Sequence, residues 1–274
     1  MRVDAHQHFW LLAERGADWP PPALAAIYRD HCPADLQPLL ERHQIDATVL
    51  VQSRAAEADT GSLLALASQH GFIGAVVGWT DLKAAAAPER IAQLAAHPAL
   101  KGLRPMLQDL PGDWLDDAVL DPAIAAMQAH GLSFDALVPP HQLAALLRFA
   151  QRHPLLPIVI DHAAKPPIGS AAMQQWRAAL AQFGALPQVM CKLSGLLTEA
   201  PSHCDSALLE QVVRHVLQVF TPQRVMWGSD WPVLNLVADY ASWFSSSIDL
   251  LDHLSADERA AVMGANAARF YRLA

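Results

Sequence analysis

Cysteine is scarce in this chain of 274 residues, which carries only Cys32, Cys191 and Cys204. None of them has C-x-x-C spacing, which excludes a disulfide framework and a zinc knuckle and points to a reducing compartment. Charge is thin as well: Asp, Glu, Lys and Arg make up 17%, the net charge is -8, and Lys and Arg never cluster. A nucleic-acid partner requires a basic stripe, so that class is excluded. No apolar run reaches the ~18 residues that a bilayer span requires. No basic-then-apolar leader precedes the first strand-like residues. The expectation is a cytoplasmic protein with no nucleic-acid or membrane partner. A linker rich in Pro, Gly or Ser is also missing, so one domain over residues 1–274 is expected.

What the chain does have is apolar residues, 53% of the total, enough for a large buried core. They fall in a repeating order. Short β-rich runs cover Val3–Phe9, Ala47–Gln52, Ile73–Trp79, Leu100–Met106, Leu132–Val138, Pro157–His162, Val189–Ser194 and Arg224–Asp230. Amphipathic helical patterns lie between them, at about 34–44, 59–70, 84–96, 121–130, 140–152, 171–184, 205–220 and 236–252. A last helix near 255–263 belongs to a C-terminal helix and tail over 253–274. Eight strands alternating with eight helices is the pattern of an α/β protein of the (β/α)8, or TIM-barrel, kind. The near-continuous apolarity of the strands fits burial on both faces. A doubly wound open sheet alternates in the same way, but it would carry a Gly-rich loop after the first strand, and none is present. The stretch 10–33 is the one long irregular loop and is expected to form part of an active-site wall.

In such a barrel the chemistry sits at the C-terminal ends of the strands. Seven of the eight runs acquire polar residues there: His6 and His8, then Gln52-Ser53, Trp79-Thr80-Asp81, Arg104, Asp161-His162 with Lys165, Lys192 with Ser194, and Ser229-Asp230-Trp231. Strand ends meet solvent and are often polar. A ring of titratable groups beside tryptophans is also what a small-molecule pocket needs. Side chains alternate along a strand, so His6 and His8 point the same way and can share one metal ion or one anionic oxygen. His43, His70, His97, His130 and His153 fall instead near helix C-termini, where an imidazole complements the helix dipole. Cys191 lies in an apolar strand and is read as packing.

These stretches together resemble the amidohydrolase superfamily. The similarity is carried by Val3-Asp4-Ala5-His6-Gln7-His8-Phe9-Trp10, Lys101-Gly102-Leu103-Arg104-Pro105, Val159-Ile160-Asp161-His162-Ala163-Ala164-Lys165-Pro166, Cys191-Lys192-Leu193-Ser194-Gly195, Met226-Trp227-Gly228-Ser229-Asp230-Trp231-Pro232 and the closing Asn266-Ala267-Ala268-Arg269-Phe270-Tyr271. Within the superfamily the chain is most similar to the sugar-lactone hydrolases of the L-fuconolactonase and L-rhamnonolactonase type. The resemblance implies a barrel that opens an aldonolactone to its aldonic acid. It implies that His6, His8, His162 and Asp230 surround either one divalent ion, zinc by its nitrogen ligands, or the substrate carbonyl directly with no ion. The fourth strand offers no lysine at its end and the fifth no histidine, so a two-metal centre is not expected. Asp230 is the expected general base and acid, with His162, His6 and His8 in the same catalytic group. Arg104, Gln52, Lys165 and Lys192 are candidates to grip substrate oxygens, although Arg104 and Lys192 serve equally well as structural ion pairs. Trp79, Trp231 and Trp10 offer flat faces for a sugar or serve as ordinary core. The alternative is a dicarboxylate-lactone hydrolase or an aromatic-acid decarboxylase, which would show several arginines at strand ends. The sugar and the oligomeric state are not legible at this level.

Overall fold

The computed structural model describes residues 1–15, 19–201 and 206–273. Cys204, the first residue of the helix expected over 205–220 and the tail residue Ala274 lie outside the described residues.

Every expected strand is present. They are β1 Val3–Gln7, β2 Ala47–Val51, β3 Ile73–Gly78, β4 Leu100–Leu103, β5 Ser133–Ala136, β6 Ile158–Ile160, β7 Val189–Leu193 and β8 Val225–Trp227. They form one sheet in chain order, and each is parallel to its neighbour. The helices between them are α1 Pro33–His43, α2 Glu57–Gln69, α3 Ala87–Ala95, α4 Asp121–Ala129, α5 Leu143–Arg152, α6 Met173–Ala181, α7 Ser206–Phe220 and α8 Tyr240–Leu250. Two short helices, α9 Ala256–Ala260 and α10 Asn266–Tyr271, complete the chain. The architecture is a single (β/α)8 barrel. His43 ends α1, and His70, His130 and His153 cap the C-termini of α2, α4 and α5.

The core has two layers. The larger packs the outer faces of the strands against the helices, with Leu36, Ile91, Ile124, Phe149, Leu180 and Val212 among its buried members. The smaller fills the barrel: Val3, Ala5, Val49, Val51, Ala75, Val77, Val159, Met190 and Met226 close on Ala267 and Tyr271 of α10. The C-terminal helix therefore plugs one end of the barrel with a buried tyrosine, and the other end stays open.

Several strands are shorter at that open end than their apolar runs suggest, each for a local reason. The strand in the run Leu100–Met106 ends at Leu103; Arg104 N still donates to Gly78 O at 2.8 Å, and Pro105, which has no N–H to donate, stops the pairing there. The run Pro157–His162 stops at Ile160 because the backbone turns left-handed at His162. The run Arg224–Asp230 stops at Trp227: Gly228 N still donates to Leu193 O of β7 at 3.1 Å, and beyond it the chain bonds to β1. Asp230 N donates to His6 O at 2.8 Å and His8 N donates to Trp231 O at 2.8 Å, and these two bonds close the barrel. Beside them Asp4 accepts from Ser229 N at 2.8 Å, from His6 N at 3.2 Å and from the Tyr240 hydroxyl at 3.1 Å. Burial raises the carboxyl of Asp4 to about 6 against these bonds, which favour its ionised form.

Candidate active site

Simple alternation would not bring the opening histidines into the barrel. Val3 and Ala5 belong to the inner cluster, so His6 would fall on the outer face. The pairing of β1 with β2 carries an extra residue between Asp4 and Gln7, whose partners are Thr48 and Leu50. That bulge reverses the alternation and returns His6 and His8 to the inner face.

Four predicted residues meet there. His6 Nε2 and His8 Nε2 are 3.2 Å apart. Asp230 Oδ1 lies 3.7 Å from His6 Nε2, 3.4 Å from His8 Nε2 and 4.0 Å from His162 Nε2. All four side chains are buried. His8 donates Nδ1–H to Val51 O at 2.7 Å, so its Nε2 carries a bare lone pair. His6 Nδ1 faces Asp161 Oδ1 at 3.4 Å, the relation of a carboxylate that orients a metal-ligating imidazole. In that tautomer two lone pairs and a carboxylate oxygen face one point. Ligand atoms ~2.1 Å from a common ion at the tetrahedral angle lie about 3.4 Å apart. The separations of 3.2, 3.4 and 3.7 Å among His6, His8 and Asp230 fit one divalent cation. A second group, His6, Asp161 and His162, also meets the distance requirement. Its carboxylate is already paired, with Lys192 Nζ at 3.0 Å and Arg104 Nη1 at 3.4 Å, and these cations oppose a second ion.

Electrostatics follow from the burial. His6 is held well below its usual range by burial, against the opposing pull of Asp161. His162 is lowered, again by burial first, with Asp230 and Asp161 acting the other way. Burial alone would raise Asp230, but the imidazoles around it, His162 first and then His8 and His6, outweigh it and hold the carboxyl well below the usual carboxylate range. At neutral pH the site therefore holds an ionised Asp230 carboxylate beside the neutral imidazoles of His6 and His162.

The backbone is strained where these groups are presented. His162, Ala163, Ala164 and Lys165 have φ of 52°, 50°, 59° and 52°, and Asp230 has 59°. Each left-handed non-glycine residue costs roughly 1–2 kcal/mol, and such residues gather at functional sites. Trp176 Nε1 holds the first turn by donating to Ala163 O at 2.9 Å, and Ser194 Oγ meets His162 Nδ1 at 2.9 Å. Gly195 must be glycine, since its φ is +62° and a Cβ would lie 2.6 Å from His162 Nδ1.

Above the cluster opens a cavity of about 400 Å³. His8, His162, Asp230, Arg104 and Lys165 line it, and Trp19 of the long first loop reaches its wall. Other expected substrate contacts lie elsewhere. Lys192 is fully buried below the cavity, 2.7 Å from Asp135 Oδ2 and 3.0 Å from Asp161 Oδ1, because its length carries the ammonium down to these two buried carboxylates. Gln52 is consumed by backbone: Nε2 donates to Arg104 O at 2.7 Å and Oε1 accepts from Arg54 N at 2.6 Å. Trp231 packs edge-on against Phe9 and His31. Trp10 packs against Trp19 and His31, and Trp79 lines a neighbouring cavity. Of the expected contacts, Arg104 and Lys165 line the cavity over Asp230, joined by Glu199, whose Oε1 is 2.7 Å from Lys165 Nζ.

The sequence places Asp161 among the polar strand ends and Asp135 within the fifth strand, but assigns a role to neither. Both are buried acids, and a charged residue inside an apolar strand, as in Phe134-Asp135-Ala136, was the available signal. Burial raises Asp135 although Lys192 opposes the shift, while Asp161 is held well below its usual range because Lys192 and His6 outweigh its burial. The chain Tyr271–Asp135–Lys192–Asp161–His6 therefore ties the plug of the barrel to the site.

An open cavity over histidines and a carboxylate, at the C-terminal mouth of eight parallel strands, defines a barrel enzyme of the hydrolase class. The chain belongs to the amidohydrolase family, whose profile matches residues 3–273. It is 53% identical to an L-fucono-1,5-lactonase of Burkholderia ambifaria, over 99% of this chain and 96% of that protein. It is 39% identical to an L-fucono-1,5-lactonase of Burkholderia multivorans, over 100% of this chain and 96% of that one. An amidohydrolase from Burkholderia multivorans solved with bound zinc superposes with a TM-score of 0.94 at 40% identity, over the whole of both chains.

Proposed function

We propose that this enzyme hydrolyses a sugar lactone, L-fucono-1,5-lactone or a close stereochemical relative, to its aldonic acid. The observation that carries the reading is the Asp230 carboxylate held 3.4–4.0 Å from three imidazoles under an open cavity. The names of the two Burkholderia relatives support the substrate. His6, His8 and Asp230 would hold one divalent ion, zinc as in the Burkholderia multivorans structure, with His162 beside it. Such an ion supplies Lewis acidity at the carbonyl oxygen.

The residues of the chain account for the rest. Asp230 Oδ1 faces the imidazoles, which leaves Oδ2 to accept the proton of a water that attacks C1. The tetrahedral centre then collapses, the bond from C1 to the ring oxygen breaks, and Asp230 returns the proton to the leaving alkoxide. The products are the free carboxylic acid and the ring hydroxyl. His162, neutral and fixed by Ser194, orients the carbonyl from the other side. Arg104 is offset by Asp161 and Lys165 by Glu199, so the wall suits a neutral polyol better than a dicarboxylate. We place the reaction in the cytoplasm, where the free thiols of Cys32 and Cys191 stay reduced.

The test is acid release from a panel of L-fucono-, L-rhamnono- and D-galactonolactones, followed with a pH indicator. One proton per lactone is expected, fastest for L-fucono-1,5-lactone. No acid above the spontaneous rate from any of them overturns the reading.

A further inference from the structure

A second cavity, of about 410 Å³, adjoins the first. The two share a wall: Trp19, Ser53, Met106 and Asp109 line both. A group attached to a molecule seated over Asp230 would reach the neighbouring chamber past these four side chains.

The lining of this chamber has its own chemistry. Three half-buried tryptophans meet there, Trp19 from the first loop, Trp79 from the end of β3 and Trp114 from the segment before α4. Indole faces pack against the C–H faces of pyranose rings, and they do so without charge. Lys83 Nζ sits over the Trp114 ring, 5.2 Å from its centroid. Asp81 and Asp109 add exposed carboxylates, which accept hydrogen bonds from hydroxyls. The cations nearby are engaged elsewhere. Lys83 pairs with Asp117 at 2.6 Å, and Arg54 donates to Glu14 O at 2.6 Å. Aromatic faces with carboxylate acceptors select a neutral polyhydroxylated ring over an anion or an aliphatic chain.

We propose that this chamber is a second sugar subsite, which takes one neutral pyranose ring attached to the lactone held at Asp230. The substrate class then includes lactones that bear a glycosyl group, opened by the same water attack at C1. This proposal rests on the sugar-lactone reading above.

The experiment compares L-fucono-1,5-lactone with three derivatives that carry one glucosyl group on O2, O3 or O4. Enzymes are the wild type, Trp114→Ala and Asp81→Asn, the last an exposed change that leaves packing intact. At least one derivative is expected to show a KM about tenfold below that of the unsubstituted lactone, since a tenfold change corresponds to about 1.4 kcal/mol, within reach of one or two aromatic contacts. Trp114→Ala should raise that KM about tenfold and Asp81→Asn about threefold, with kcat/KM on the unsubstituted lactone held within twofold. Unimpaired turnover of the small substrate reports that each variant folds. A wild type that opens only the unsubstituted lactone, or a best derivative whose KM neither substitution moves, overturns the subsite and leaves the lactonase reading standing. A wild type that opens none of the four removes both.

Discussion

Asp230→Asn is expected to lower kcat for lactone opening by roughly 10³-fold, within the 10²–10⁴ that a positioned acid–base group contributes. Asparagine keeps the shape and one oxygen of aspartate but cannot take a proton. Its main-chain bond to His6 O, which closes the barrel, is untouched by the change. The fold should therefore survive, with circular dichroism and thermal midpoint near those of the wild type. KM should move much less than kcat, because the missing proton transfer belongs to the transition state. The check is a steady-state rate beside a melting curve on the same preparation. Turnover within tenfold of the wild type removes Asp230 from its role as base.

Lys192→Met is expected to cost about 3–5 kcal/mol of stability, the usual loss when one partner of a buried ion pair is deleted. The methionine fills much the same space, but it leaves the carboxylates of Asp135 and Asp161 buried without the ammonium that sits 2.7 and 3.0 Å from them. The pH dependence distinguishes this cause from simple misfit. Without Lys192 the two acids are harder to ionise in the folded state than in the unfolded chain. Protonating them relieves the penalty, so the deficit against the wild type shrinks as the pH falls from 8 towards 5. Asp161 would also lose its hold on His6 Nδ1, and kcat should fall by about 10–100-fold, the scale of a lost partner behind a metal ligand. Urea unfolding at several pH values checks the result. A loss under 1 kcal/mol that does not vary with pH contradicts the network.

The barrel was legible because both faces of its strands are buried, so each strand reads as a short apolar run between amphipathic helices. What the pattern could not show is where each strand lets go. That depends on Pro105, on the left-handed turn at His162, which Trp176 and Ser194 hold, and on the bonds that draw Asp230 to His6, so the last two involve distant chain segments. The core of the site was equally visible, as His6, His8, His162 and Asp230 at strand ends. Alternation predicts that His6 and His8 share a face but not which face, and the bulge after Asp4 decides that. Lys192 looked like a substrate contact because a lysine at a strand end has a long reach, and here the reach runs down into the barrel. Trp231 and Gln52 misled for a related reason: a large ring and an amide at the mouth satisfy packing and backbone needs first. Trp19 and Glu199 come from loops, where tertiary contacts rather than local pattern set the position.

The central claim is that His6, His8 and Asp230 act as one unit that holds a divalent ion beside the lactone. Anomalous diffraction at the zinc edge, from crystals of the wild-type enzyme soaked in zinc, tests it most directly. The account predicts one peak about 2.1 Å from His6 Nε2, His8 Nε2 and Asp230 Oδ1. A map with no peak at that point, or with its peak at Asp161 and away from Asp230, would contradict it.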